Sequence, residues 1–188
     1  MRSASVALCW ILSLFIWVTL ANAAVSAVKD QAALNKLFDQ LKQAGNPTEA
    51  EAVTEQIWQH WFKTENAEAR QLMDRAQLAR RAGAFQDALV LLDNIVRLAP
   101  NYAEGWNQRA TVLFMLGRDA ESVADIQKTL RLEPRHFRAL SGLGFIHIRS
   151  QNWKAAIASI ERALEVHPFL RAGALIPKLK EQTKGQPL

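Results

Sequence analysis

Cysteine is nearly missing from this chain: Cys9 is the only one in 188 residues. One thiol closes no intrachain disulfide and builds no cysteine-ligated zinc site. Histidine is sparse as well. His60, His136, His147 and His167 fall in separate segments without an HExxH pair, so no metal site is expected. A G-x-S-x-G elbow, a phosphate-binding loop and a dinucleotide glycine fingerprint are all lacking, so no cofactor is implied and no enzyme is expected. Carboxylates such as Asp74, Asp87, Glu104, Asp119 and Glu121 are present, but no spacing sets two of them, or one of them and a histidine, in an apolar pocket. They read as helix caps and solvated faces. No stretch alternates apolar and polar residues as a strand does. Charge of a single sign is also lacking: 23 basic against 18 acidic residues leaves +5, scattered along the chain. Nucleic acid is therefore not implied, whereas an acidic partner or an anionic membrane surface is compatible.

The chain does have a long apolar run at its start. Met1, Arg2 and Ser3 make a short basic opening, residues 4–20 are apolar, and Ala21-Asn22-Ala23 offers the small-x-small pattern that signal peptidase reads. Residues 1–23 are expected to be a secretory signal peptide cleaved after Ala23. The alternative is an uncleaved anchor on residues 4–20, because apolar and small residues continue to Val28. Cys9 lies within this segment, and Leu8 before it is too large for a lipoprotein site. Cleavage removes only Arg2 from the charged set, leaving 22 − 18 = +4 and no cysteine.

Proline is scarce, yet Pro100, Pro134 and Pro168 stand 34 residues apart. Around them "LVLLDNIVRLAPNY", "SVADIQKTLRLEPRH" and "AIASIERALEVHPFL" repeat in step. Self-similarity at this period predicts a helical solenoid, which presents an extended surface to a partner. Three units follow, 69–102, 103–136 and 137–170, each an antiparallel helix pair. A leading pair occupies 24–68. Its first helix, 29–44, carries Leu34, Leu37, Phe38 and Leu41 on one face; Gly45-Asn46-Pro47 ends it, and Thr48 is placed to cap the next. The second, 49–62, buries Val53, Ile57, Trp58 and Trp61. Residues 171–188 supply a capping helix, near 171–182, and a frayed tail.

The three units resemble tetratricopeptide repeats (TPR). Leu72, Trp106 and Leu140 hold the first large position; Ala76, Ala110 and Gly144, with Ala88, Ser122 and Ala156, hold the small positions where helices cross. Ile95, Thr129 and Ala163 follow on the second helices, and Gly83 and Gly117 mark the inner turns. Gln151 departs from that glycine, Arg75 and Arg109 from a leucine, and His147 from a tyrosine. The leading pair is similar to that of exported proteobacterial TPR proteins.

The resemblance implies an all-α, right-handed TPR α-solenoid of antiparallel helix pairs, about nine helices after the signal peptide. It implies that the first helix of each unit lines a concave face. That face would carry Arg70, Met73, Gln77 and Arg80; then Glu104, Asn107, Thr111 and Phe114; then Arg138, Ser141, Phe145 and Ile148. Phe114, Phe145 and Ile148 would anchor a client, with Arg70, Arg80, Arg135 and Arg138 as charge partners. A rival reading covers these aromatics with the cap or neighbouring helices. The chaperone-binding "carboxylate clamp" of the family is absent: Met73/Gln77, Asn107/Thr111 and Ser141/Phe145 stand at its places. The expected role is an exported, periplasmic interaction module or scaffold that binds a protein or peptide client. The alternatives are a periplasmic assembly chaperone, for example of the cytochrome c maturation type, and a membrane-anchored envelope scaffold. A membrane is involved only if the N-terminal segment is uncleaved, and a homo-oligomer stays open.

Overall fold

A computed structural model describes residues 29–184. The signal-peptide or anchor reading at 1–28 and the end of the tail at 185–188 lie outside the described residues. Nine α-helices and one 3-10 helix account for the elements, with no strand among the described residues. They are α1 (29–43), α2 (Pro47–Trp61), α3 (Ala67–Arg81), α4 (Phe85–Leu98), α5 (Ala103–Met115), α6 (Asp119–Leu132), α7 (Phe137–Arg149), α8 (Trp153–Val166), a 3-10 turn (Arg171–Leu175) and α9 (Ile176–Thr183). The chain is an all-α solenoid, with α3–α4, α5–α6 and α7–α8 as its paired units.

The 34-residue period is a period of turns. Between units, Tyr102 N–H donates to Ala99 O, His136 N–H to Glu133 O and Leu170 N–H to His167 O, at 3.0, 3.1 and 3.2 Å. Each is a β-turn with proline second, where its fixed φ suits the bend and its missing N–H costs nothing. Within units, Ala84, Arg118 and Asn152 donate to Ala79 O, Leu113 O and His147 O at 2.9 Å each, closing the helix end in a Schellman geometry. That closure needs a left-handed residue, supplied by Gly83 (φ 75°), Gly117 (φ 75°) and, where glycine is missing, Gln151 (φ 58°).

The small positions permit close crossing. Ala76, Ala88, Ala110, Ser122 and Ala156 are all buried, and a Cβ on Gly144 would sit 2.8 Å from Ile160 Cγ1. Ser122 Oγ–H donates to Ala110 O at 2.7 Å, which satisfies the one hydroxyl at a crossing. Asn46, not Thr48, caps α2. Its side chain accepts from Glu49 N–H at 3.0 Å, and the Glu49 carboxylate reaches back to Gly45 N–H at 2.9 Å. Pro47 then takes the first helical position, which leaves Thr48 inside the helix.

The leading pair does not simply precede the first unit. Leu34, Phe38, Leu41, Trp58 and Trp61 share one core with Phe137, Leu140 and Ala163 of the third unit. Trp61 stacks on His136 at 4.0 Å and 7°, and Trp58 meets Phe137 edge-on at 6.3 Å. The Thr54 hydroxyl donates to Ala50 O and so accepts from His167 Nε2–H at 3.0 Å. Tyr102 O–H donates to Phe62 O at 3.0 Å. Large aromatics let α2 span from the start of α5 to the start of α7. At the other end Leu179, with Leu175 and Ile176, covers Ile160, Ile157 and Trp153. This cap was expected as one helix; it opens as a 3-10 turn, and the α-helix starts only at Ile176 with Pro177 in its first turn.

Candidate functional site

The three first helices of the units, α3, α5 and α7, line a cavity of about 450 Å³, closed on one side by residues 170–172. Its wall divides by chemistry. Arg80, Arg138 and Arg171 are cationic; Asn107, Thr111 and Ser141 are polar; Phe114, Met115, Ile126 and Phe145 are apolar. No lining residue is acidic. Phe145 and Met115 stay 40% and 53% exposed, so apolar surface faces the open space rather than the core. Phe114 is clasped from behind: the Arg149 guanidinium lies 3.7 Å over its ring, donates to Phe114 O and is fixed by Asp119.

The cations are distributed unevenly among partners. Arg109 is bound bidentately by Asp125 and by Asp93, and Arg135 by Glu133. Among the described residues Arg80, Arg138 and Arg171 have no ion pair, and Arg80 Nε is buried without a hydrogen-bond partner. Desolvation lowers the Arg138 pKa from its usual value; Glu104 pulls it back up and Arg80 adds to the lowering. An anion entering between Arg80 and Arg138 would relieve that mutual repulsion.

Behind this wall lies a buried polar cluster. Glu104 is fully buried and accepts from Asn107 Nδ2 at 3.1 Å and Gln108 Nε2 at 2.5 Å. His136, also fully buried, stands 2.9 Å from it through Nε2. His136 Nδ1 accepts from Ala139 N–H at 3.2 Å as the cap of α7, so Nε2 carries the proton and donates to Glu104. Two sequence expectations are thereby corrected. Glu104 is not solvated, because three donors replace its water. A histidine and a carboxylate do come together, through adjacent units rather than along one segment. The unit-to-unit geometry that joins them leaves no mark in a single sequence.

The cavity brings together Arg80, Asn107, Thr111, Phe114, Arg138, Ser141 and Phe145 from the mapped face. The others lie outside its lining. Arg70 donates to Thr64 O at 2.8 Å; Met73 is buried in the core of the first unit; Gln77 accepts from Arg81. Arg135 donates to Asn35 and lies 4.1 Å over Phe38. Ile148 packs beneath the cap with Trp153. Arg171 and Met115 were missed. Arg171 falls beyond the last repeat, and Met115 sits one residue off the stripe, where the helix ends. Trp58 and Trp61 are core, as their spacing suggested. Among the described residues there is no cluster able to hold a metal ion, and no helix long and apolar enough to cross a membrane.

No family model matches the chain. A "TPR repeat-containing protein" of Rhizobium etli is 38% identical over 135 residues, covering 72% of this chain and 66% of the relative. The mouse DnaJ homolog subfamily C member 7 is 33% identical over 82 residues, 44% of this chain and 17% of that protein. The chain thus spans just under two thirds of the first relative and a small part of the second. Among solved structures, the first TPR of Spaghetti bound to an HSP90 peptide aligns with a TM-score of 0.62 at 20% identity, covering 65% of this chain and 98% of that one. The Sgt2 TPR domain from Aspergillus fumigatus aligns at 0.60 and 18% identity, covering 65% and 87%. At such identities the structures speak for the fold alone. The registered turns, the small crossing residues and the rhizobial relative agree: the chain belongs to the tetratricopeptide repeat proteins.

Proposed function

We propose that this protein is an exported, non-enzymatic interaction module that holds a short acidic segment of a client protein in the arginine-lined cavity. One observation carries the reading. Three arginines with no ion pair among the described residues face the same space as the exposed Phe145 and Met115, and no acid shares the lining. A peptide carboxylate between Arg80 and Arg138 would gain charge-assisted hydrogen bonds that the protein itself does not supply. An adjacent apolar side chain would bury against Phe114, Met115 and Phe145, and a central aromatic contact of this kind dominates most interfaces. The volume lies within the usual range of about 300–1,000 Å³ for ligand sites. Because α2 lies across the starts of α5 and α7, a short segment fits better than one running the whole inner wall. Export to a periplasm rests on the basic-apolar-small pattern of residues 1–23.

Photocrosslinking tests the site. A photoreactive residue at Met115 is expected to capture a client in envelope extracts, and a control at the outward-facing Val90 is not. Arg80→Glu with Arg138→Glu should abolish the adduct by placing like charge opposite the client. Equal capture at Met115 and Val90, or an adduct that survives the charge reversal, would end this reading. Fractionation and the mass of the mature N-terminus decide export: a periplasmic product starting at Ala24 is expected, and a cytoplasmic full-length chain refutes it.

A further inference from the structure

The lining residue Arg138 has one contact that explains where its charge points. Its guanidinium lies 3.6 Å over the ring of Trp58, which belongs to α2 and not to any repeat. Trp58 is in turn fixed by Trp61 at 5.6 Å and 89°, by Phe62 at 5.6 Å and by Phe137 at 6.3 Å. A guanidinium stacked on an aromatic face keeps its N–H donors in the ring-parallel plane, free to meet a planar carboxylate. Without that face, a side chain with this many rotamers and no hydrogen-bond partner would sample many positions in solvent.

We propose that Trp58 is a positioning residue for the cavity: it serves as a platform that holds the Arg138 guanidinium edge-on to an incoming carboxylate. The leading helix pair is then part of the binding site rather than a cap alone. This rests on the anion-accepting cavity proposed above. Arg135 over Phe38 repeats the stacking on the same helix pair, but its donors are consumed by Glu133 and Asn35. Of the two stacked arginines, only Arg138 keeps its donors for a ligand.

The test uses the full chain and a defined probe, an acetylated acidic peptide with one phenylalanine beside two glutamates, titrated by calorimetry and by the indole N–H signal of Trp58. Arg138→Ala is expected to weaken the probe about tenfold, as loss of a charged hydrogen bond does. Trp58→Ala is expected to weaken it about three- to fivefold through loss of the stacked platform. Trp58→Phe keeps an aromatic face and is expected to recover affinity to within about twofold. The double variant should bind no worse than Arg138→Ala alone, since Trp58 acts through Arg138. Thermal melts of each variant separate misfolding from mispositioning, and Trp58→Phe carries the test if Trp58→Ala unfolds: it keeps the Arg138 charge, so it should bind the probe and lose more affinity on adding salt than Arg138→Ala does. If Trp58→Ala binds like the parent while Arg138→Ala fails, the platform is wrong and the cavity stands. If the parent itself ignores the probe, the cavity reading falls and the platform with it.

Discussion

Removing His136 should cost far more than neutralising its partner. In His136→Ala the buried Glu104 loses its donor at 2.9 Å but keeps its charge and two amide donors. Breaking a buried pair by deleting one partner costs about 3–5 kcal/mol. The α7 cap at Ala139 N–H goes too, worth about 1 kcal/mol, and the stacked face of Trp61 opens onto a void. The sum, about 4–6 kcal/mol, is a large share of a typical stability of about 5–15 kcal/mol. In Glu104→Gln the shape is kept, His136 can still donate to an amide oxygen, and Asn107 and Gln108 can turn their own oxygens inward. That change should cost about 1.5–3 kcal/mol, the net value of a charged hydrogen bond. Urea unfolding followed by far-ultraviolet circular dichroism gives both values. Were His136 an imidazolium, Glu104→Gln would instead strand a buried cation. So if Glu104→Gln costs as much as His136→Ala, the neutral tautomer assigned from the capping geometry is refuted. If His136→Ala costs under about 1 kcal/mol, the cluster contributes no structural support at all.

Gln151→Gly should stabilise the fold by about 0.5–1 kcal/mol, because a left-handed non-glycine residue carries about 1–2 kcal/mol of strain, offset in part by glycine's extra freedom when unfolded; a lower melting temperature would contradict it. Gly144→Val should destabilise by more than about 2 kcal/mol, since its Cβ would meet Ile160 at 2.8 Å, and unchanged urea unfolding would remove the close-crossing argument. His167 has its pKa lowered from 6.5, chiefly by burial. The unfolded chain therefore binds its proton first, so this group leaves stability unaffected above about pH 6.5 and subtracts from it as pH falls from there to the lowered folded value. His167→Gln should flatten that part of the pH–stability curve, and an unaltered curve would exclude the assignment.

The repeat architecture was legible because it rests on short-range rules written three times. Proline at the second turn position, glycine at the left-handed cap and small residues at the crossings each recur at 34. Even the exception was readable: Gln151 stands where glycine is missing, and the structure forces it to φ 58°. Contacts that break the period were not legible. Asn35 bonds Arg135 across 100 positions, and Thr54 meets His167 across 113. No periodic signal can point from an unrepeated helix to its docking place. For the same reason the mapped face was only half assembled. Of the α3 stripe only Arg80, in the last turn, reaches the cavity. Arg70 and Met73, at early turns, are taken up by Thr64 and by the core.

That division of the inner wall has a physical cause in the composition of the leading pair. Trp58, Trp61 and Phe62 need a large apolar surface, and Phe137 with Leu140 is the one they reach. Docking them there leaves two indole N–H groups, Trp58 Nε1 and Trp61 Nε1, buried without partners, at about 1–3 kcal/mol each. Each indole also removes apolar area worth a comparable amount, so α2 is held by a narrow surplus. A helix held that way keeps Arg138 stacked only while Trp58 stays in place. The repeats therefore set the scaffold, and the non-repeating helix decides whether the cavity presents an ordered charge.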